Sequence, residues 1–430
     1  MSPAAATHDN ATRRPEAILC GLAPHGDQRT APEVLAELGL LADTGGFEIA
    51  GCVAQHRRSP DPNTYFGRGK LDELTELVQQ AEADLMICDG SLSPAQGRNI
   101  QKSLGVPVMD RAELILHIFG DHARTPQAKL QVELARLQYQ LPRLKRLWTH
   151  LERQRGGIGH RAGAGEKQID LDRSEIRSRI AQIQGEIKRI EGRKSREIRS
   201  RADQFTIALV GYTNAGKSTL MNRLTNADVL IENRLFSTLD TRTRPWRLPG
   251  GRTVLLSDTV GFIRNLPHQL VASFHATLEE ALNADLLFLV VDASSGEALA
   301  QFEAVQDVLQ QLGADTIPRI TILNKVDQAP DAAHLARLQA VDPLTVPLSA
   351  KTGLGIDQLE TRLQDMLARS ERRVEVLIPH AAGGLHAEIR RNTTVLSEFH
   401  TEDGCLIECL VSASLLGRLL AKGATLQPSD

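Results

Sequence analysis

The sequence predicts an α/β protein in several domains: a small parallel α/β domain, a helical hairpin, a larger α/β domain of the phosphate-loop type and a small C-terminal α+β domain. Three observations predict it. Short apolar runs alternate with amphipathic segments over residues 16–121 and again from Phe205 to about Ser370, the rhythm of strands and crossover helices in a parallel sheet. Between these regions, two apolar stripes of heptad spacing flank a glycine-rich stretch. A Gly-x-x-x-x-Gly-Lys-Ser run follows an apolar strand and opens a helix. At 430 residues the chain exceeds one ordinary domain. The expected boundaries are 1–15 (disordered tail), 16–122, 123–203, 204–370 and 371–430.

The elements follow in order. Ala17 to Cys20 reads as a strand, Pro32 to Leu41 as a helix and Ile49 to Val53 as a strand. Leu71 to Gln80 reads as a helix, Leu85 to Cys88 as a strand, Ser93 to Leu104 as a helix and Pro107 to Met109 as a last short strand. Leu130, Leu134, Leu137, Leu141, Leu144, Trp148 and Leu151 then recur with 4-3 spacing, and Ile169, Ile176, Ile180, Ile183, Ile187 and Ile190 keep the same frame. Two such stripes predict an antiparallel helical hairpin, with Pro142 kinking or splitting its first arm. Downstream, Thr206 to Val210, Val254 to Leu256, Leu286 to Val291 and Ile320 to Leu323 read as buried strands. After Arg372, an alternating strand over Val374 to Ile378, a helix, a hairpin and the helix Ala413 to Ala421 suffice for the α+β domain.

Four stretches fall at C-terminal strand ends, where open α/β sheets bind ligands. The first is Gly211, Tyr212, Thr213, Asn214, Ala215, Gly216, Lys217 and Ser218, followed by Thr219. Its glycines let backbone N–H groups turn toward phosphates at a helix N-terminus. Lys217 suits the β- and γ-phosphates, and the Ser218 hydroxyl suits Mg²⁺. The second is Asp258, Thr259, Val260 and Gly261. Asp258 is expected to hold Mg²⁺ through water, and the Gly261 N–H to meet the γ-phosphate. The third is Asn324, Lys325, Val326 and Asp327. A carboxylate at Asp327 can accept from guanine N1–H and its 2-amino group, which adenine does not offer. The fourth is Ser349, Ala350 and Lys351, whose Ala350 N–H suits guanine O6. The combination predicts a P-loop GTPase domain that hydrolyses GTP with Mg²⁺. Phe236, Ser237, Thr238, Leu239 and Asp240 form the intervening switch loop, with Thr238 the favoured second Mg²⁺ ligand and Thr241 and Thr243 its rivals.

Where many switch GTPases carry a water-orienting glutamine, this chain has Phe262. A side chain that neither donates nor accepts predicts slow hydrolysis by the isolated protein. Asn214 is the compensating candidate, through K⁺ held beside the phosphates. The catalytic set expected is therefore Lys217, Asn214 and Gly261.

Between Arg136 and Arg201 there are 18 Lys and Arg against 8 Asp and Glu, an excess of ten positive charges in a chain of net charge -3. Such a segment suits a phosphate-rich surface. The loop from Arg153 to Lys167, at the hairpin tip, offers Arg153, Arg155, Arg161 and Lys167 for RNA contact. Five scattered cysteines read as reduced thiols of a cytosolic protein. Cys405 and Cys409, on one predicted strand about 13 Å apart, are too distant to share a metal or a disulfide. The longest apolar run is far too short to span a bilayer. A monomer is expected.

The chain resembles the HflX family of ribosome-associated GTPases beyond the nucleotide motifs. The similar stretches are Phe66-Gly-Arg-Gly-Lys70, Leu92-Ser-Pro-Ala-Gln96 with Arg98 and Asn99, and Lys129-Leu-Gln-Val-Glu-Leu-Ala135. Gln138-Tyr-Gln-Leu-Pro-Arg143, Gly156-Gly-Ile-Gly159 and Asp258-Thr-Val-Gly-Phe-Ile-Arg264 continue the likeness. The resemblance implies GTP-favoured binding to the large ribosomal subunit and its ribosomal RNA, splitting or rescue of stalled or idle ribosomes, and a cytoplasmic, partly ribosome-associated location. Some members also bind ATP through the N-terminal domain, which directs attention to the turn at Gly67–Lys70. Two departures stand out: His160, Ala162 and Lys167 replace the usual tip-loop residues, and the switch loop reads Asp240-Thr-Arg-Thr243 in place of Asp-Pro-Thr-Thr. Two other readings compete: a GTPase partner in tRNA modification, which usually needs a reactive C-terminal cysteine, and a non-catalytic GTP-gated binding module.

Overall fold

The computed structural model describes residues 13–24, 26–27, 29–144, 162–200, 204–226, 236, 242–249, 251–264, 282–342, 344–370, 372–411 and 413–427. They fall into two compact units that divide between Gln184 and Gly185. In the first unit, the parallel strands β1 (Glu16–Ala23), β2 (Glu48–His56), β3 (Leu85–Asp89) and β4 (Val108–Asp110) are ordered β2-β1-β3-β4. The helices between them are α1 (Ala31–Val34), α2 (Ala36–Thr44), α3 (Arg68–Gln80) and α4 (Pro94–Leu104). Ile18, Met86, Phe66, Leu74 and Ile100 form the core of one face. The single helix expected from Pro32 is two, broken at the buried Leu35, whose ψ of 11° departs from helical geometry. Helix α4 starts on a full capping box, with Ser93 and Gln96 each bonding the other's backbone N–H.

Helices α5 (Arg111–His122) and α6 (Pro126–Leu144) complete the described part of this sheet's surroundings. The buried residues of α6 are Gln127, Ala128, Gln131, Val132, Leu134, Ala135 and Tyr139, so Leu134 of the expected stripe is buried while Leu130, Leu137 and Leu141 are only half-buried. Packing there uses small residues that a count of large apolar side chains passes over. The described helix runs through Pro142 to Leu144, so Pro142 does not split it there. Trp148 and Leu151 lie outside the described residues. The Arg143 guanidinium donates to Leu92 O at 2.9 Å and to buried Asp110 at 3.1 Å, and stacks on Tyr139 with 3.5 Å to the ring centroid.

The long helix α7 (Ala162–Ser200) begins earlier than the sequence suggests. Ala162 to Lys167, assigned above to the glycine-rich tip, are helical. Nucleation is already met by the rest of a 39-residue helix, so one more turn costs only the propensity of its glycines, about 1 kcal/mol each. Arg179 of α7 makes a two-pronged ion pair with Glu133 of α6, at 2.8 and 3.1 Å, which clamps the two helices of the hairpin together.

The second unit contains a six-stranded sheet of order β10-β9-β8-β5-β7-β6. Its members are β5 (Thr206–Gly211), β6 (Arg242–Arg247), β7 (Thr253–Asp258), β8 (Leu286–Asp292), β9 (Arg319–Asn324) and β10 (Thr345–Pro347). All pairs are parallel except β6 with β7. Ile207, Leu209, Val254, Leu256, Phe288, Leu289 and Ile322 are fully buried, as two-sided cover requires. Helices α8 (Lys217–Thr225), α9 (Ala298–Gln311), α10 (Ala332–Gln339) and α11 (Ile356–Ser370) accompany this sheet.

The remaining strands form an antiparallel sheet of order β12-β13-β11-β14, from β11 (Arg372–Pro379), β12 (Thr394–His400), β13 (Gly404–Val411) and β14 (Thr425–Gln427). Helices α12 (Gly383–Asn392) and α13 (Ala413–Ala421) contribute Ile389 and Leu419 to a core with Val376, Ile407 and Cys409. Cys405 and Cys409 are both buried on β13, and neither is in a disulfide.

Candidate nucleotide-binding site

The site grows from the C-terminal edge of the six-stranded sheet. Strand β5 ends at Gly211, where φ is +151° and an added Cβ would stand 2.2 Å from Val290 O, so only glycine fits. The chain turns through Asn214 at φ +60° and Gly216 at φ +93°, then enters α8 at Lys217. The loop faces a helix N-terminus, whose N–H groups have no partner within the helix. The Lys217 ammonium is buried and donates to Gly211 O at 3.1 Å and Tyr212 O at 2.8 Å. Burial pushes its pKa down to about 8, while the Asp258 charge works the other way.

A phosphate bound beside Lys217 restores its full charge. Above about pH 8 the free protein therefore lacks a proton that the complex holds, and affinity should fall as pH rises. GDP titrations between pH 7 and 9 should show a flat profile below about pH 8 and, above it, a decline approaching tenfold per pH unit. Lys217→Arg, which stays charged, should remove the slope.

Asp258 ends β7, and its Oδ2 accepts from the Ser218 hydroxyl at 2.6 Å. Thr259 turns its hydroxyl back to Leu209 O at 2.6 Å, fixing the segment on β5. Gly261 is constrained too: a Cβ there would lie 2.8 Å from the Thr213 Cα and 3.0 Å from the Lys217 ammonium. Phe262 has a role that its side chain did not announce. Its N–H donates to Gly211 O at 3.0 Å, and its carbonyl accepts from Thr213 N–H at 2.8 Å. These backbone bonds staple the Gly261–Phe262 segment to the loop at Gly211–Thr213, and the ring is buried. Phe262→Gln should therefore bring no gain in hydrolysis rate. Burying an amide in that pocket should cost about 1–3 kcal/mol of stability, read as a lower denaturation midpoint beside single-turnover rates.

The half of the site expected to read the base is assembled by Asn324 at the end of β9. Its buried amide donates to Ala215 O at 2.8 Å and accepts from Ala350 N–H at 2.9 Å. One side chain thus ties the phosphate loop to both base-reading segments. Lys325, at φ +61°, pairs with Asp292 Oδ2 at 2.6 Å. Asp292 was not singled out from sequence; its place at the end of β8, beside Asn324 in register, is the signal that could have found it. Arg223 of α8 was missed too. It donates to Ala350 O at 3.1 Å and also to Lys351 O. Ser349 and Ala350 are buried, and the Asp327 carboxylate is solvent-exposed on a short 3-10 turn, Val326–Gln328.

The structure thus brings together four of the segments named from sequence: residues 211–219, 258–261, 324–327 and 349–351. Phe236 is buried at φ +57°, while Ser237, Thr238, Leu239, Asp240 and Thr241 lie outside the described residues. Thr243 lies within β6, its hydroxyl 2.9 Å from that of Ser257. Arg153, Arg155 and Arg161 fall outside the described residues, and Lys167 is placed on α7 by its backbone alone. The turn at Gly67–Lys70 caps α3: Gly67 N–H donates to the Gln55 side chain at 3.0 Å, and Lys70 pairs with Glu73 at 2.6 Å.

Residues 206–325 match the family described as "50S ribosome-binding GTPase". Residues 32–120 match "GTP-binding GTPase N-terminal" and 122–201 "GTP-binding GTPase Middle Region". A "GTPase HflX" of Magnetococcus marinus is 43% identical over 404 residues, 94% of this chain and 93% of that protein. The chain belongs to the HflX GTPase family. HflX relatives from Chlamydia pneumoniae (42% identical; 90% of this chain, 84% of that one) and Escherichia coli K12 (42%; 86% and 88%) extend the match. The candidate nucleotide site above accordingly lies in an HflX GTPase. Among the described residues, this HflX chain has no helix long and apolar enough to cross a membrane.

Proposed function

We propose that this GTPase binds the large ribosomal subunit in its GTP state, promotes separation of stalled or idle ribosomes in the cytoplasm, and leaves after hydrolysis. The observation that carries the reading is the Asn324 junction. Its amide ties the phosphate loop at Ala215 O to the Ala350 N–H, in a chain whose residues 206–325 match a ribosome-binding GTPase family. In this reading Asp327 accepts from the guanine edge, the Ala350 N–H meets O6, and Lys217 and the Gly261 N–H meet the terminal phosphates. The Ser218 and Asp258 oxygens, 2.6 Å apart, are hard donors that fit Mg²⁺. Ser218 and Thr238 would bind it directly and Asp258 through water, and the ion would neutralise charge developing on the phosphates.

The buried Phe262 leaves the attacking water to be oriented by another group, so hydrolysis waits on the ribosome. Asn214, exposed at the loop's apex, is proposed to help hold K⁺ beside the phosphates. The basic segment from Arg136 to Arg201 supplies the RNA-facing charge, Arg153, Arg155, Arg161 and Lys167 among it. The N-terminal domain is a candidate for ATP.

Sucrose-gradient sedimentation tests the main reading. The protein should migrate with large subunits in the presence of a non-hydrolysable GTP analogue and stay at the top with GDP. Large subunits should stimulate GTP hydrolysis, more in K⁺ than in Na⁺. Equal migration with both nucleotides, without stimulation, would leave a GTPase that acts elsewhere; equal rates in the two salts would remove K⁺ alone.

A further inference from the structure

Away from the nucleotide, the C-terminal sheet gathers the side chains of a different kind of site. His386 stands on α12, Glu398 and His400 on β12, and Cys405 on β13. His386 Nε2 lies 2.6 Å from Glu398 Oε1, and Cys405 Sγ lies 3.4 Å from the same oxygen. The ligand atoms of His386, Glu398 and Cys405 all lie within 4.8 Å of one another. His400 is the cross-strand partner of Cys405 in the β12–β13 ladder. Its Nε2 is 3.9 Å from Glu398 Oε1. Register explains the convergence: side chains of directly opposed residues share one face of an antiparallel pair, and residues two apart on a strand share it too. Glu398, His400 and Cys405 therefore share the face that carries Ile407 into the core.

The surrounding charges divide in a telling way. The two imidazoles and the thiol approach Oε1 of Glu398, whereas Arg390, one turn after His386 on α12, bonds Oε2 at 2.5–3.2 Å. A cation seated among the first set would not meet the guanidinium at the same oxygen. An outer partner that fixes a ligating carboxylate is what metal sites need. We propose that His386, Glu398 and Cys405, with His400 as the fourth ligand, bind a zinc-class divalent transition-metal ion.

The donor set of two imidazoles, one carboxylate and one thiolate suits such an ion and not Mg²⁺ or Ca²⁺. Bonds of about 2.0 Å to nitrogen or oxygen and about 2.3 Å to sulfur put neighbouring tetrahedral ligands about 3.3–3.5 Å apart. The 3.4 Å and 3.9 Å separations already lie near that range, and the 2.6 Å hydrogen bond opens when the metal replaces its proton. His400, whose side chain is 74% exposed, swings from solvent to close the shell. The metal would pin α12 to the β12–β13 hairpin.

The test uses the full chain, stripped of metal by chelation and titrated with Co²⁺ without nucleotide or Mg²⁺. One equivalent should produce a thiolate-to-cobalt charge-transfer band together with tetrahedral ligand-field bands, both lost when one equivalent of Zn²⁺ is added. Cys405→Ser should abolish the charge-transfer band. His386→Gln, on the partly exposed face of α12, should weaken binding at least tenfold and guards against a folding defect in the cysteine variant. Arg390→Gln should keep the band but lower affinity about 10–100-fold. Absence of the band in the unmodified protein, or its persistence in Cys405→Ser, overturns the proposal. So does binding that is indifferent to His386→Gln.

Discussion

Asp327→Asn should reduce GTP and GDP affinity about 10²–10⁴-fold, from the loss of two charge-assisted hydrogen bonds worth about 1.5–3 kcal/mol each. The amide still accepts one hydrogen bond but now presents N–H groups as well, so it faces the guanine 2-amino group donor to donor. Xanthine carries a carbonyl at that carbon. Xanthosine nucleotides should therefore bind the variant better than guanosine ones, reversing the preference. Because Asp327 is exposed on its turn and carries no packing, thermal stability should hardly change. Competition titrations with GDP and XDP, beside a melting curve, check both parts. Retained preference for GDP in a folded Asp327→Asn protein would move guanine recognition to another residue.

Asn324→Ala should do more damage through a different route. The substitution leaves Ala215 O and the Ala350 N–H without their partner in a buried setting. Each orphaned group costs about 1–3 kcal/mol, so the free protein should lose about 2–6 kcal/mol of local or global stability. The same loops must be ordered before nucleotide can bind, and GDP affinity should fall by more than a hundredfold. Gly216→Ala approaches the same junction from the other side, since its Cβ would stand 2.2 Å from the Asn324 amide nitrogen. The two changes touch one contact, so their effects on binding should be far from additive in a double-mutant cycle. Simple addition of the two losses would mean that the junction does not couple them.

Most strands and the four segments expected to bind nucleotide were legible because each depends on local signals: an apolar run, then glycines or short polar residues at its end; β6, β10 and β14, which carry no apolar run, were not. What the sequence concealed depends on pairs far apart in the chain. Asp292 and Lys325 meet only because β8 and β9 are neighbours in register. Phe262 acts through backbone groups that every residue has, so its identity says nothing of that role. On α6 the deepest contacts come from Ala128 and Ala135, and from Gln131 at 0% exposure, none of which enters a heptad of large apolar residues. Ala162 to Lys167 looked like a loop because of Gly163 and Gly165, but a long helix can absorb two glycines near its start. The His386, Glu398 and Cys405 cluster follows no metal-binding spacing, since a helix, a strand and a hairpin partner each supply one member.

In the proposed site, the Asn324 amide, bonded at once to Ala215 and Ala350, would make the ends of a bound nucleotide thermodynamically dependent on each other. Guanosine or pyrophosphate alone would each leave half of the cradle loose, so neither fragment should compete well against intact GDP. The same dependence offers a single lever for emptying the pocket. Anything on a ribosome that tugs at one loop would slacken the grip of the other, and discharge of spent nucleotide would need no contact with the nucleotide itself.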